Sequence, residues 1–171
     1  MSSSRRPSHR RAWRTLPRRR ADARRRLGKA AAESAAHRLP LREMVVPVIE
    51  KWAFSEGAPP VSAEEAVDEL GRRIADGELE SWLTSSLGRS LAVVTNTERA
   101  MVMLLDGEDD PGEHASDPGA EDWSDGFILE NGQSDEYPDE DTVLLGEAFR
   151  IVRHILTHGI PPTDAAWTAD R

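Results

Sequence analysis

Charge divides this sequence at residue 43, and the division limits where a core can form. Residues 1–43 hold fourteen Lys and Arg (Lys29 and thirteen Arg) against Asp22, Glu33 and Glu43, a balance of +11. The rest of the chain holds eight Lys and Arg against twenty-eight Asp and Glu, a balance of −20. Like charge at that density opposes compaction. A fold must therefore be built from the apolar runs that begin at Met44, which makes 1–43 a basic head and 44–171 an acidic domain.

The head carries the clusters Arg18-Arg19-Arg20 and Arg24-Arg25-Arg26, an alanine run and few large apolar residues, a composition expected to be disordered. One reading is an arm that attracts nucleic-acid phosphates. Another is translated upstream sequence, with the protein starting near Met44. A twin-arginine leader needs an apolar stretch after its arginines, and none follows. No run of about 18 apolar residues occurs, so no membrane helix is expected. With no cysteine in the chain, disulfides, thiolate metal sites and cysteine nucleophiles are excluded, and a cytoplasmic location is expected.

From Met44 to Phe54 the chain is β-branched and aromatic, which predicts a first strand, with Pro47 favouring an edge position. Ser62 and Glu65 have the spacing of a capping box, and Ala66, Val67, Leu70 and Ile74 share one helical face before Gly77. Trp82–Thr84, Leu91–Thr95 and Ala100–Leu105 are separated at hairpin spacing and predict an antiparallel meander. A long irregular segment is expected over Asp106–Asp125. A strand follows over Gly126–Glu130, then the turn dipeptide Asn131-Gly132. A last helix over Gly146–His158 has the stripe Phe149, Val152, Ile155 and Leu156, and Gly159 and Pro161-Pro162 stop it. Trp167 is expected to fold back onto the sheet. Together these predict an α+β fold, an antiparallel sheet of about five to six strands carrying two main helices.

Chemistry-bearing patterns are weak. His154 and His158 share a helical face but lack a zinc-enzyme motif. Asp106, Glu108, Asp109 and Asp110 match a calcium loop in composition and not in spacing. Carboxylate pairs suited to glycosidases lack an aromatic sugar platform, and no nucleophile elbow or phosphate loop is present. No enzyme, cofactor or metal is expected. What remains is a stretch from Asp106 to Phe149 without one Lys or Arg, with Trp123 inside it. Such a surface either keeps the protein dispersed or meets a basic partner with fast, steered association, and Trp123 either anchors the loop or acts as a binding anchor. The candidate binding residues are Asp106, Glu108, Asp109, Asp110, Glu113, Asp122, Trp123 and Asp125, followed by Asp135, Glu136 and Tyr137.

The segment Glu130-Asn131-Gly132-Gln133-Ser134-Asp135-Glu136-Tyr137-Pro138, the helix ending Leu156-Thr157-His158-Gly159-Ile160-Pro161-Pro162, and Trp167 resemble the first-catalogued immunity-protein family of bacterial polymorphic toxin systems. The resemblance covers residues 123–167 closely, and 44–105 in the order of elements. The family often has Arg before the helix-stop proline, where this chain has Ile160, and the basic head has no counterpart. The resemblance implies a non-catalytic protein that binds and blocks a cognate toxin, often a nucleic-acid deaminase or nuclease with a basic groove. The shared positions Asn131, Gly132, Pro138, Gly159, Pro162 and Trp167 read as structural. The competing reading is a regulatory scaffold whose basic head binds nucleic acid while the acidic domain binds a protein.

Overall fold

Two apolar runs, Ser90–Thr95 and Arg99–Leu105, are the middle of the fold, because they are buried on both faces. The computed structural model describes residues 48–170. The expectations for the basic head and for Met44–Pro47 therefore lie outside the described residues. Within them, residues 50–170 belong to one compact unit.

The elements are β1 (Trp52–Phe54), α1 (Ala63–Ala75), β2 (Glu80–Ser85), β3 (Ser90–Thr95), β4 (Arg99–Leu105), β5 (Glu113–Ala115), β6 (Trp123–Ile128), β7 (Ser134–Pro138), a 3₁₀ turn (Asp139–Asp141), β8 (Val143–Leu144), α2 (Leu145–His158) and β9 (Trp167–Ala169). The main antiparallel sheet has the order β1-β2-β3-β4-β5-β9, with β8 also on β4, while β6 and β7 form a separate hairpin. The α+β class read from the sequence is the class observed. Seven strands rather than five or six make the main sheet.

The register Leu83↔Leu91 and Val93↔Val102 sorts the two faces of the sheet. Leu83, Leu91, Val93, Ala100, Val102 and Leu104 cluster with Ala66 and Leu70 of α1 and Ala148, Ile151, Val152 and Ile155 of α2. Ala92, Val94, Met101 and Met103 point the other way and are also buried. The β6–β7 hairpin covers that second face with Phe127, Leu129 and Tyr137. Asn96 Nδ2 donates to the Asp125 carbonyl at 2.9 Å, and Glu80 Oε2 accepts from the Glu130 N–H at 2.7 Å, fastening the hairpin to the sheet. The layers are thus helices, sheet and hairpin, and burial on both faces explains why β3 and β4 read as continuous apolar runs rather than alternating ones.

The local signals behave as their chemistry requires. Ser62 and Glu65 close the capping box reciprocally. Gly132 and Gly159 adopt φ of +82° and +78°, conformations in which a Cβ would be strained. Trp167 pairs with Ala115 in β9 and packs against the helix-facing core.

Three expectations need correction. The first strand spans Trp52–Phe54 only, since pairing with β2 begins at Trp52, and Val48 and Ile49 are exposed. Asp106–Asp125 is not one irregular segment. Glu113–Ala115 pair with β4 and β9, and Trp123 already belongs to β6, so two short loops remain. The stripe of α2 is carried by Ala148, Ile151, Val152 and Ile155, with Phe149 and Leu156 only partly buried.

Candidate protein-binding surface

The acidic stretch is held in place by cations at its borders and by one histidine within it. Arg99 is the one Lys or Arg between Arg89 and Arg150. Its guanidinium donates to Thr142 Oγ1 at 2.8 Å, Asp117 Oδ2 at 2.7 Å, and the carbonyls of Asp139 and Thr142 at 3.0 Å each. Ser124 Oγ donates to Asp139 Oδ1 at 2.6 Å, which ties the base of the hairpin to the same hub. His114, buried in β5, has Nε2 3.1 Å from Asp141 Oδ1 and Nδ1 3.1 Å from Asp170 Oδ2. Burial alone would lower its pKa, but the two carboxylates outweigh it and hold the imidazole above its ordinary value. At the far end of β4, Arg89 grips Glu50 through two bonds of 2.9 and 2.6 Å, donates to the Gly159 carbonyl, and lies 3.7 Å from Asp106. Burial would raise the Glu50 carboxyl, yet the bonds from Arg89 and Ser85 hold it below its ordinary value.

The hairpin presents one outward face. Register pairs Trp123 with Pro138, Phe127 with Asp135 and Ile128 with Ser134, with an irregularity between Ser124 and Phe127. Gly126, at φ +81°, accommodates it. Alternation then sends Phe127, Asp135 and Tyr137 inward, and Trp123, Asp125, Ile128, Glu136 and Pro138 outward. Exposure agrees: Trp123 is 44% and Ile128 46% exposed, whereas Phe127 is 0% and Tyr137 3%. Two carboxylates, Asp125 and Glu136, thus lie between two large apolar side chains on one strand pair, with Asp122 at the rim.

The structure divides the candidate binding residues between separate places. Asp106, Glu108 and Asp109 are exposed in the β4–β5 loop. Asp110 is half-buried there, and its carboxylate accepts from the N–H groups of Asp106 and Gly112. Glu113 is a half-buried strand residue. Asp122, Trp123, Asp125 and Glu136 are exposed on the hairpin. Asp135 is half-buried and accepts from Gln133 and from the Tyr137 hydroxyl. Tyr137 is inside, edge-on to Phe127 at 4.8 Å, so it supports the hairpin and offers no contact surface. Burial, then Asp135, push its phenol well above the ordinary value. The β4–β5 loop follows Leu105, whereas Asp125 is held by Asn96 at the Arg99 end of β4. The seven residues of β4 separate the two groups by roughly 20 Å at about 3.3 Å per residue.

Ile128, Arg99, His114, Asp139 and Asp141 were not among the candidates. The glycine at 126 inside a strand pattern is the signal that places Ile128 on the face of Trp123, and the isolation of Arg99 within an acidic stretch marks it as a hub. The shared positions behave as supports: Asn131 Oδ1 accepts from the Gln133 N–H, Pro138 ends β7, and Pro162 is buried.

The paired histidines and the Asp110 turn make local contacts. His154 and His158 stack at 4.2 Å, each with Nδ1 at a backbone carbonyl, Ile160 and His154 respectively. Asp110 braces its own turn rather than joining a ligand set. Among the described residues, no group of three or more His, Asp or Glu is placed to hold a metal ion, and no helix is long and apolar enough to cross a membrane. Neither a family model nor a curated protein matches the sequence. The resemblance to the immunity-protein family therefore rests on the motifs quoted above.

Proposed function

We propose that this domain is a non-catalytic inhibitor that binds a basic protein through the outer face of its β6–β7 hairpin. In the setting that the resemblance implies, the partner is a toxin acting on nucleic acid, whose basic groove the acidic hairpin plugs. The observation that carries the reading is the outward face itself: Trp123 and Ile128, both about half exposed, flank Asp125 and Glu136. An aromatic anchor inside a charged rim is the usual composition of a binding hot spot, and an anionic rim speeds encounter with a cationic partner.

The hairpin is well suited to present such a surface. It rests on a buried apolar layer and is fastened by Asn96, Glu80 and the Arg99 hub, so little ordering entropy remains to be lost on binding. The test is to sequence the neighbouring reading frames and to co-express this chain with the toxin domain expected there. Protection of the cells is expected to be lost with Trp123→Ala and retained with Asp68→Asn, a control on the solvent side of α1. Undiminished protection by the Trp123 variant would sink the assignment to the hairpin.

A further inference from the structure

The domain houses two of its own arginines in the same way. Arg73 lies over the Phe54 ring at 4.2 Å, with Glu69 at 3.1 Å and Glu56 at 3.4 Å on its guanidinium edge. Arg89 lies 5.4 Å from the Trp52 ring, with Glu50 at 2.6 Å and Asp106 at 3.7 Å. In both, a ring lies against the guanidinium and two carboxylates lie within 4 Å of its nitrogens, Glu69 and Glu56 accepting from Arg73 and Glu50 from Arg89. Guanidinium suits this arrangement better than ammonium, because it is planar, weakly hydrated and donates in a fixed fork.

The outer face of the hairpin carries the same three components. Trp123 and Asp125 are two apart on β6, and Glu136 and Pro138 two apart on β7, with Trp123 opposite Pro138. Regular neighbours on one strand pair lie about 5–8 Å apart, which is the span of a single guanidinium for Trp123 and Glu136, and Asp125 joins them at the bulge between Ser124 and Phe127. Trp123 as a residue is 44% exposed.

We infer that the hairpin's outer face is an arginine-selective site: a partner arginine stacks on Trp123 and donates to Asp125 and Glu136. This rests on the binding reading above and specifies the chemistry of the partner. A basic groove made of lysines would be steered to the surface equally well but held less firmly, since a strongly hydrated ammonium lacks the planar fork that offers a face to the ring and an edge to the carboxylates.

The test is calorimetric titration of the full chain with hexa-arginine and hexa-lysine peptides at one ionic strength, for wild type, Trp123→Phe, Trp123→Leu and Asp125→Asn/Glu136→Gln. Wild type should prefer the arginine peptide by about two- to fivefold, the order of an exposed cation–π contact, about 0.5–1 kcal/mol. Trp123→Phe should keep most of that preference. Trp123→Leu should bring the two peptides to parity, and the carboxamide pair should weaken both. Unchanged thermal transitions show that each variant is folded. Equal binding of both peptides by wild type, or a preference that survives Trp123→Leu, overturns the inference. The same variants in the protection assay separate the two claims. If Trp123→Leu abolishes protection but no arginine preference exists, only the arginine site fails. If every hairpin variant protects, the binding reading fails with it.

Discussion

His114 is buried between carboxylates from two different parts of the chain, the 3₁₀ turn at Asp141 and the residue after β9, Asp170. Its folded pKa lies above the ordinary value of 6.5, because burial, which would lower it, is outweighed by the two partners. A raised histidine pKa stabilises the fold in full below the unfolded value, and that contribution is lost as pH rises through the folded value. Urea unfolding at about pH 6 and about pH 9 should show wild type losing stability across the window, while His114→Gln changes far less. Parallel losses in both proteins would mean that the bridge does not titrate as described. Arg99 is the second residue on which the acidic region depends. Arg99→Met retains the apolar stem but removes the donor to the Asp117 carboxylate and to the Thr142 carbonyl, while Asp139 keeps Ser124 and Thr142, which should cost about 1–3 kcal/mol in chemical denaturation. A cost under about 1 kcal/mol would mean that water replaces the guanidinium easily.

Among the elements, β9 and the hairpin differ most from what a linear reading gives. β9 is three residues long, and it exists because β5 offers it an edge and Trp167 a place against the core. Trp167, expected to fold back onto the sheet, does so through this strand. Its partner strand was hidden, because Glu113-His114-Ala115 has no apolar alternation to announce it. Trp167 is only partly buried, so Trp167→Ala should cost about 2–4 kcal/mol, somewhat less than a fully buried ring. It should also loosen amide protection in β5 before it affects β3 or β4, which hydrogen exchange would resolve. Uniform loss of protection would show that β9 belongs to one cooperative unit with the central strands. The hairpin turn at Asn131-Gly132, by contrast, was legible, because positive φ in a tight turn favours few residue types.

For the whole molecule, the acidic stretch from Asp106 to Phe149 is continuous in sequence and divided in space. The β4–β5 loop lies at the Leu105 end of β4, and the hairpin at the Arg99 end. A separation of about 20 Å exceeds the roughly 8 Å screening length at physiological salt, so charges at one end act weakly at the other. Replacing Glu108 and Asp109 with their amides should leave association with the proposed basic partner nearly unchanged. Replacing Asp125 and Glu136 should slow it severalfold and flatten its salt dependence, as stopped-flow mixing would measure. Equal effects from both pairs would mean that the partner spans the two ends, or that only net charge matters.

What the sequence determined by itself was everything governed by short-range chemistry: the capping box at Ser62, the glycine stops, the meander from Trp82 to Leu105, and the α+β class that follows from their order. These depend on a few neighbouring residues and on periodicity, so a linear reading captures them. The acidic character of the domain was equally plain. Which acids stand together was decided only by the tertiary structure. Arg99 and His114 draw Asp117, Asp139, Asp141 and Asp170 into bonds from positions 18 to 56 residues away, and β4 carries the remaining acids to opposite ends of the sheet. Long-range pairing and register set those positions, and a shift of one residue would turn Trp123 from the outer face of the hairpin to the inner one.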